Sequence, residues 1–247
     1  MDLIIDKNQE YIIPSTDNLN ILIKKNVEAS LIEKNDINRV INITLEENSN
    51  VSYIAIDLST DAKKNITLNR SSNLKMITSN FKGGSKEINA YLNMEDSNLE
   101  IKSIIMMKDE SDKEIINVFH NDKNTTSLIE NYVTSNNANV SLDVIGKIEK
   151  GKSNSNCVQK SRGIILSDNA NIKIKPVLLI DEYDVSANHG CAIGKIDDEG
   201  LYYLMSRGIT KKDAEMLIIK GFLSPILNKL TNEEIKNELV NLQNEKL

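Results

Sequence analysis

The chain has no tryptophan, three phenylalanines, three prolines, two histidines and two cysteines in 247 residues. Two cysteines, Cys157 and Cys191, cannot build a disulfide framework, so a reducing cytoplasm is the default compartment. No run of about 18 apolar residues occurs, which excludes a membrane-spanning helix. The opening MDLIIDKNQE has no basic stretch leading into an apolar one, so no secretory signal is expected. Positive charge is also in deficit: 36 acidic against 30 basic residues give a net charge of −6, the wrong sign for a nucleic-acid backbone. What remains is ample for a folded domain, with 40% hydrophobic residues.

Isoleucine and asparagine are in excess, 35 and 33 residues respectively. Coding bias towards A and T explains part of this. Isoleucine nevertheless suits stacked pleated strands, and asparagine tolerates the left-handed backbone of tight corners. Residues 15 to 197 read as short alternating segments, each opened by a small residue and an asparagine: Ser49-Asn50-Val51, Ser72-Asn73-Leu74, Ser97-Asn98-Leu99, Ala138-Asn139-Val140 and Ala170-Asn171-Ile172. Successive asparagines are 23, 25, 41 and 32 residues apart; the first two spacings read as rungs, and the later two imply a skipped anchor or an insertion. A repeat of this length with a period of two predicts a solenoid of strands, a parallel β-helix; an antiparallel sandwich is the competing arrangement.

After Asp197 the period changes. The run 198–208 is expected to form a short helix ended by Gly208 as its C′ glycine. Thr210 with Asp213 starts another, with Ala214, Leu217, Ile218 and Gly221 on one face; Pro225 opens a further segment, and Thr231 with Glu234 caps a last one. Such short helices need a partner surface: the end of the coil, another subunit, or both. The expected division is a β-helix core over 1–197 and a helical tail over 198–247. The acidic run Asp197-Asp198-Glu199 is expected to start a helix rather than hold a cation. Lys82-Gly83-Gly84-Ser85 lacks the phosphate-loop framework and is expected to be a turn.

Two segments carry a family likeness. Pro176 to Ile180 with Asp184-Val185-Ser186-Ala187-Asn188-His189-Gly190-Cys191-Ala192-Ile193-Gly194-Lys195-Ile196-Asp197 resembles the C-terminal signature of the SufB/SufD family of iron–sulfur cluster assembly proteins. Leu201 to Ile209, with Ala214 and Gly221-Phe222, is similar to that family's following helices, and His120 and Thr126 fall in a stretch similar to its weaker middle motif. The resemblance implies an all-β, right-handed parallel β-helix with a C-terminal α-helical tail. It implies a non-catalytic scaffold working with a SufC-like ABC ATPase and pairing with a SufB-like subunit or a second identical chain. A nascent iron–sulfur cluster would form transiently at their interface. His189 matches the cluster-site histidine, and the His-Gly form places the chain on the SufD side. Tyr202, Tyr203, Arg207 and Phe222 fall in the partner-docking segment, although the two tyrosines also read as packing against the coil end. Some family members use a flavin; no residue here is assigned to one. The chain is shorter than typical SufD members and is expected to lack their N-terminal helical region.

Cys191 stands where the family usually has alanine. The SufB cluster cysteine falls nearer Lys160 than Cys157, which leaves Cys157 a candidate ligand only. Clusters normally take four ligands, and one chain offers His120, His189, Cys157 and Cys191 at spacings that form no compact loop. A site shared across an interface needs one or two from each side. His189 and Cys191, two residues apart, share a face if they lie on a strand, and an imidazolium beside a thiol would lower its pKa. Either residue could equally be plain packing. A carbohydrate-active β-helix lyase or hydrolase is the alternative function, disfavoured by the lack of aromatic platforms; a purely structural β-helix is another.

Overall fold

The computed structural model describes residues 1–230 and 232–247, which form sixteen strands and three helices. Odd-numbered strands make one parallel sheet: β1 (Asp2–Ile5), β3 (Asn18–Ile23), β5 (Arg39–Leu45), β7 (Asp61–Leu68), β9 (Gly84–Leu92), β11 (Asp112–His120), β13 (Asn139–Ile148) and β15 (Asn171–Ile180). Even-numbered strands make the other: β2 (Glu10–Ile13), β4 (Glu28–Asn35), β6 (Asn50–Asp57), β8 (Asn73–Asn80), β10 (Asn98–Lys108), β12 (Thr126–Asn136), β14 (Asn156–Ile165) and β16 (Ser186–Lys195). Every neighbour is two elements away, so the chain winds through one sheet and then the other. This is the parallel β-helix expected from the sequence, and the sandwich is excluded. Between the sheets lies a continuous core built on Ile21, Leu31, Ile43, Tyr53, Ile66, Ile101, Ile116, Val133 and Leu142.

The register explains the uneven anchor spacing. Along the even sheet, Glu28, Asn50, Asn73, Asn98, Thr126, Asn156 and Ser186 occupy one file at intervals of 22, 23, 25, 28, 30 and 30 residues. Asn139 and Asn171 pair with each other in the odd sheet. The 41-residue gap is therefore a change of sheet, and Thr126 is the anchor that is not an asparagine.

Left-handed corners lie two residues before β4, β6, β8, β10, β12 and β14, at Asn26, Asn48, Ser71, Asp96, Asn124 and Asn154, with φ from 54° to 63°. The anchor asparagines themselves are extended. Outward-facing asparagines use their amides differently: Asn20, Asn42, Asn65, Asn89 and Asn117 form a ladder in which each Nδ2 donates to the preceding Oδ1 at 2.8–3.1 Å, ending on the Asp2 carboxylate at 2.7 Å. A β-branched residue cannot adopt the corner conformation without strain. Replacing Asn124 by valine is expected to destabilise the coil by about 1–2 kcal/mol, while glycine there is tolerated; urea unfolding of both variants checks this.

The turn expected over Lys82 to Ser85 is shorter than that: Lys82 lies in a bend, and Gly84 and Ser85 already begin β9. Gly84 has φ +152°, and a Cβ there would lie 1.9 Å from the Thr60 carbonyl oxygen, so the glycine is needed for a close rung-to-rung approach.

Three helices follow: α1 (Asp198–Ser206), α2 (Lys211–Leu227) and α3 (Glu233–Lys246). Asp197 caps α1 by accepting from the Gly200 N–H, and Thr210 caps α2 by accepting from the Asp213 N–H. Two details differ from expectation. Pro225 lies inside α2 near its end, and the buried face of α2 is Ala214, Ile219, Leu223, Ile226 and Leu227, leaving Leu217 half exposed. Asn232 caps α3; the proposed Thr231 cap lies outside the described residues.

The tail covers the side of the coil and not its end. Ile219, Leu223, Ile226, Leu230, Ile235 and Leu239 pack on Ile32, Ile54, Ile56, Phe81, Ile104 and Met106 of the even sheet's outer face and its margin. Ion pairs fasten the margins: Lys34 to Glu238 at 2.5 Å, Lys229 to Glu100 at 3.3 Å and Lys246 to Glu110 at 3.6 Å. No helix among the described residues is long and apolar enough to cross a membrane.

Candidate interface site at the last rung

Both sheets end at the C-terminal rung, β15 in one and β16 in the other. Each therefore presents one edge with no strand beyond it. Because rungs are in register, β16 can be read from β14 beneath it. The buried residues of β14 are Cys157, Gln159, Ser161 and Gly163, and their partners are Ala187, His189, Cys191 and Ile193. Parallel partners share a face, so His189 and Cys191 stand together on the side of β16 that continues the interior. With no further rung above them both are exposed. The open end of the coil thus carries an imidazole and a thiol side by side, as their spacing predicted.

The chemistry of the thiol differs from expectation. Partial burial pushes the Cys191 thiol up, and no neighbouring cation lowers it. Beneath it the rungs are polar: Ser161 underlies Cys191, followed in the same file by Asn131, Ser103 and Thr78. Asn131 Nδ2 donates to Ser161 Oγ at 3.0 Å, and Asn131 Oδ1 and Ser103 Oγ are buried without a partner. Gln159 underlies His189, in a file that is otherwise apolar over the two rungs below, Ile129 and Ile101. Sequence reasoning missed Gln159 and Ser161. Their signal was the alternation Cys157, Gln159, Ser161 on the inward face, in which Gln159 takes a position where the two rungs below carry isoleucine.

Cys157 and His120 lie elsewhere. Cys157 is 0% exposed, its thiol is raised by burial, and a Cβ on Gly146 would come within 2.5 Å of its sulfur. His120 ends β11 inside the coil, with Nδ1 2.8 Å from Thr125 Oγ1 and Nε2 2.9 Å from Ser127 Oγ. Burial holds its pKa down at about 4. Ser127 underlies Cys157, so thiol, hydroxyl and imidazole form an interior chain that does not reach the open end. Lys160 points outward from β14 and pairs with Glu130 at 3.7 Å. The structure therefore brings together His189 and Cys191, and separates both from Cys157 and His120.

The tail residues also divide. Tyr202 and Tyr203 are 75% and 57% exposed on α1, which buries none of its residues, so they do not pack on the coil end. The Arg207 guanidinium lies 5.3 Å from the Tyr203 ring centre, a cation–π contact that presents both to solvent. Phe222 turns inward and meets Tyr132 edge to face at 5.2 Å. Asp112 and Glu114 both receive the Asn80 amide inside the coil.

The winding, the signature strand at its open edge and the helical tail agree with one family. Its model, described as SUF system FeS cluster assembly, SufBD core domain, matches residues 5–222. The chain belongs to the SufBD family. The iron–sulfur cluster assembly protein SufD of Bacillus subtilis is 45% identical over 115 residues, which are 47% of this chain and 26% of that protein. A SufBD family protein of Pyrococcus horikoshii is 39% identical over 92 residues, 36% of this chain and 19% of its own length. SufD of Escherichia coli is 35% identical over 80 residues, 32% of this chain and 19% of its own length. The matched segments thus span about a quarter or less of these relatives. Membership of the SufBD family places the chain among iron–sulfur cluster assembly proteins, and the SufD likeness fits its His189-Gly190 form.

Proposed function

We propose that this SufBD chain is a cytoplasmic scaffold subunit that offers the open last rung to a second family member, a SufB-like subunit or another copy of itself. A nascent iron–sulfur cluster is assembled between them as cargo. The carrying observation is the position of His189 and Cys191: adjacent on one face of an edge strand, exposed, and on top of a rung that ends the core. Unpaired edges of parallel strands are natural pairing surfaces. Each subunit then needs to supply only one or two ligands, with the neutral imidazole of His189 as the first and the Cys191 thiolate as the second. Cys157 serves the interior and is the weaker ligand.

The tail, residues 198–247, docks a SufC-like ABC ATPase through the face turned away from the coil, where Tyr202, Tyr203 and Arg207 are exposed. Phe222 supports that face from behind by anchoring α2 on Tyr132. ATP hydrolysis belongs to the partner, and the chain supplies geometry.

Reconstitution with an ABC ATPase and a second family member tests both parts. His189→Ala is expected to lower cluster formation, read from iron content and visible absorption, about tenfold or more while the subunits still co-purify. The pair Tyr202→Ser and Tyr203→Ser is expected to lose the ATPase and keep the second family member. Full cluster yield from His189→Ala would favour a purely structural role, and undiminished ATPase capture by the tyrosine pair would overturn the docking face.

A further inference from the structure

Gln159 lies directly beneath His189 in the stack and is 1% exposed. Its amide is oriented by β15: Nε2 donates to the Val177 carbonyl at 3.2 Å. The other end, Oε1, is buried and has no partner. The space for this side chain depends on Gly146, where a Cβ would lie 3.1 Å from Gln159 Nε2. A buried carbonyl oxygen left unpaired is destabilising, so its retention calls for a reason. The two rungs below carry Ile129 and Ile101 in the same file, so the glutamine appears only where the file meets the imidazole. Rungs are about 4.8 Å apart, a separation that a side-chain amide and a ring N–H can bridge. The His189 ring makes no hydrogen bond among the described residues, and its side chain is exposed.

We propose that Gln159 is a positioning residue for His189: its Oε1 accepts one ring N–H, fixing the tautomer of the neutral imidazole and turning the other nitrogen's lone pair towards the open end of the coil. A histidine that serves as a metal ligand commonly has its second nitrogen held this way. The consequence for cluster assembly rests on the role given to His189 above, but the hydrogen bond does not. No covalent step is involved.

The test uses the intact chain without iron, sulfide or partner. Ring nitrogens are observed by long-range proton–nitrogen NMR at about pH 8, above the ordinary imidazole range. Only two histidines are present, so His189→Ala assigns the signals and His120, held by Thr125 and Ser127, is an internal reference. Gln159→Leu is expected to shift the His189 tautomer ratio about fivefold, the equivalent of one hydrogen bond of about 1 kcal/mol, with the His120 signals unchanged. Gln159→Glu, which keeps an acceptor, is expected to retain the wild-type bias. Should the leucine variant not fold, Gln159→Met makes the same comparison. An unchanged His189 ratio in a folded leucine or methionine variant overturns the proposal, as does loss of the bias in the glutamate variant. Because nothing is assembled in this measurement, its failure leaves the cluster yield of His189→Ala standing, and the reverse also holds.

Discussion

Replacing Glu33 by leucine is expected to destabilise the coil by about 3–5 kcal/mol, read as a drop in the urea midpoint. Glu33 sits in β4 facing inward and is 0% exposed. Three donors from the next two rungs converge on it: Arg39 Nη2 at 2.6 Å, Lys64 Nζ at 3.3 Å and the Tyr53 hydroxyl in a short hydrogen bond. Arg39 also reaches the Pro14 carbonyl at 2.8 Å, and Lys64 reaches Asp57 at 3.7 Å. Removing the carboxylate strands an arginine and weakens the hold on a lysine, both buried, and the loss of their charge balance dominates over the apolar area that leucine gains. The same reasoning fixes the sign of a second variant. Changing Glu33 to leucine and Arg39 to methionine together removes both members of the closest pair, and part of the lost stability returns, because well-packed apolar groups often replace a buried ion pair at little expense. A Glu33→Leu chain as stable as the wild type would show that the cluster is hydrated and screened.

The winding of the coil was legible because stacking repeats one local pattern. An asparagine, serine or aspartate corner followed by alternation recurs from β4 to β14, and the period of two admits only strands. The seat of the tail was not read, although its signal is present. Tyr53-Ile54-Ala55-Ile56 in β6 and Ile104-Ile105-Met106-Met107 in β10 break the alternation, and a strand buried on both faces is apolar at every position. Those runs mark where α2 and α3 lie. Pro225 misled for a related reason: near the end of α2 the tertiary contacts of Leu223, Ile226 and Leu227 hold the last turn despite the missing N–H. At the candidate site, spacing placed His189 and Cys191 on one face, but exposure depended on which rung is last, a long-range fact. The lowered thiol pKa anticipated for Cys191 failed because proximity in sequence supplied no charge in contact with the sulfur.

Stability is expected to be greatest between about pH 4.5 and 6.5 and to fall by about 2 kcal/mol between pH 6.5 and 8. Two interior groups set this shape. Glu114 lies among Asp57, Asp112, Lys86 and Asn80, in a column where four carboxylates, Glu33, Asp57, Asp112 and Glu114, face three cations, Arg39, Lys64 and Lys86. Burial first, and the Asp112 charge second, push the Glu114 carboxyl from 4.5 up to about 8. Asp112 is raised by burial in the same sense. The folded chain therefore keeps a proton that the unfolded chain has released above pH 4.5, and stability falls by about 1.4 kcal/mol per pH unit until the folded carboxyl ionises. His120 acts oppositely. Its pKa is 6.5 when unfolded and about 4 when buried, so below pH 6.5 the unfolded chain takes up a proton that the folded one refuses, and stability falls as pH falls. The two slopes cancel where the windows overlap, and above pH 6.5 only the Glu114 slope remains. Glu114→Gln is expected to flatten stability above pH 6.5 and to unmask the His120 slope below it. Urea midpoints of both chains at pH 5, 6.5 and 8 give the comparison. A wild-type chain that gains stability from pH 6.5 to 8 would mean that Glu114 is ionised in the folded coil, with its charge met by Lys86.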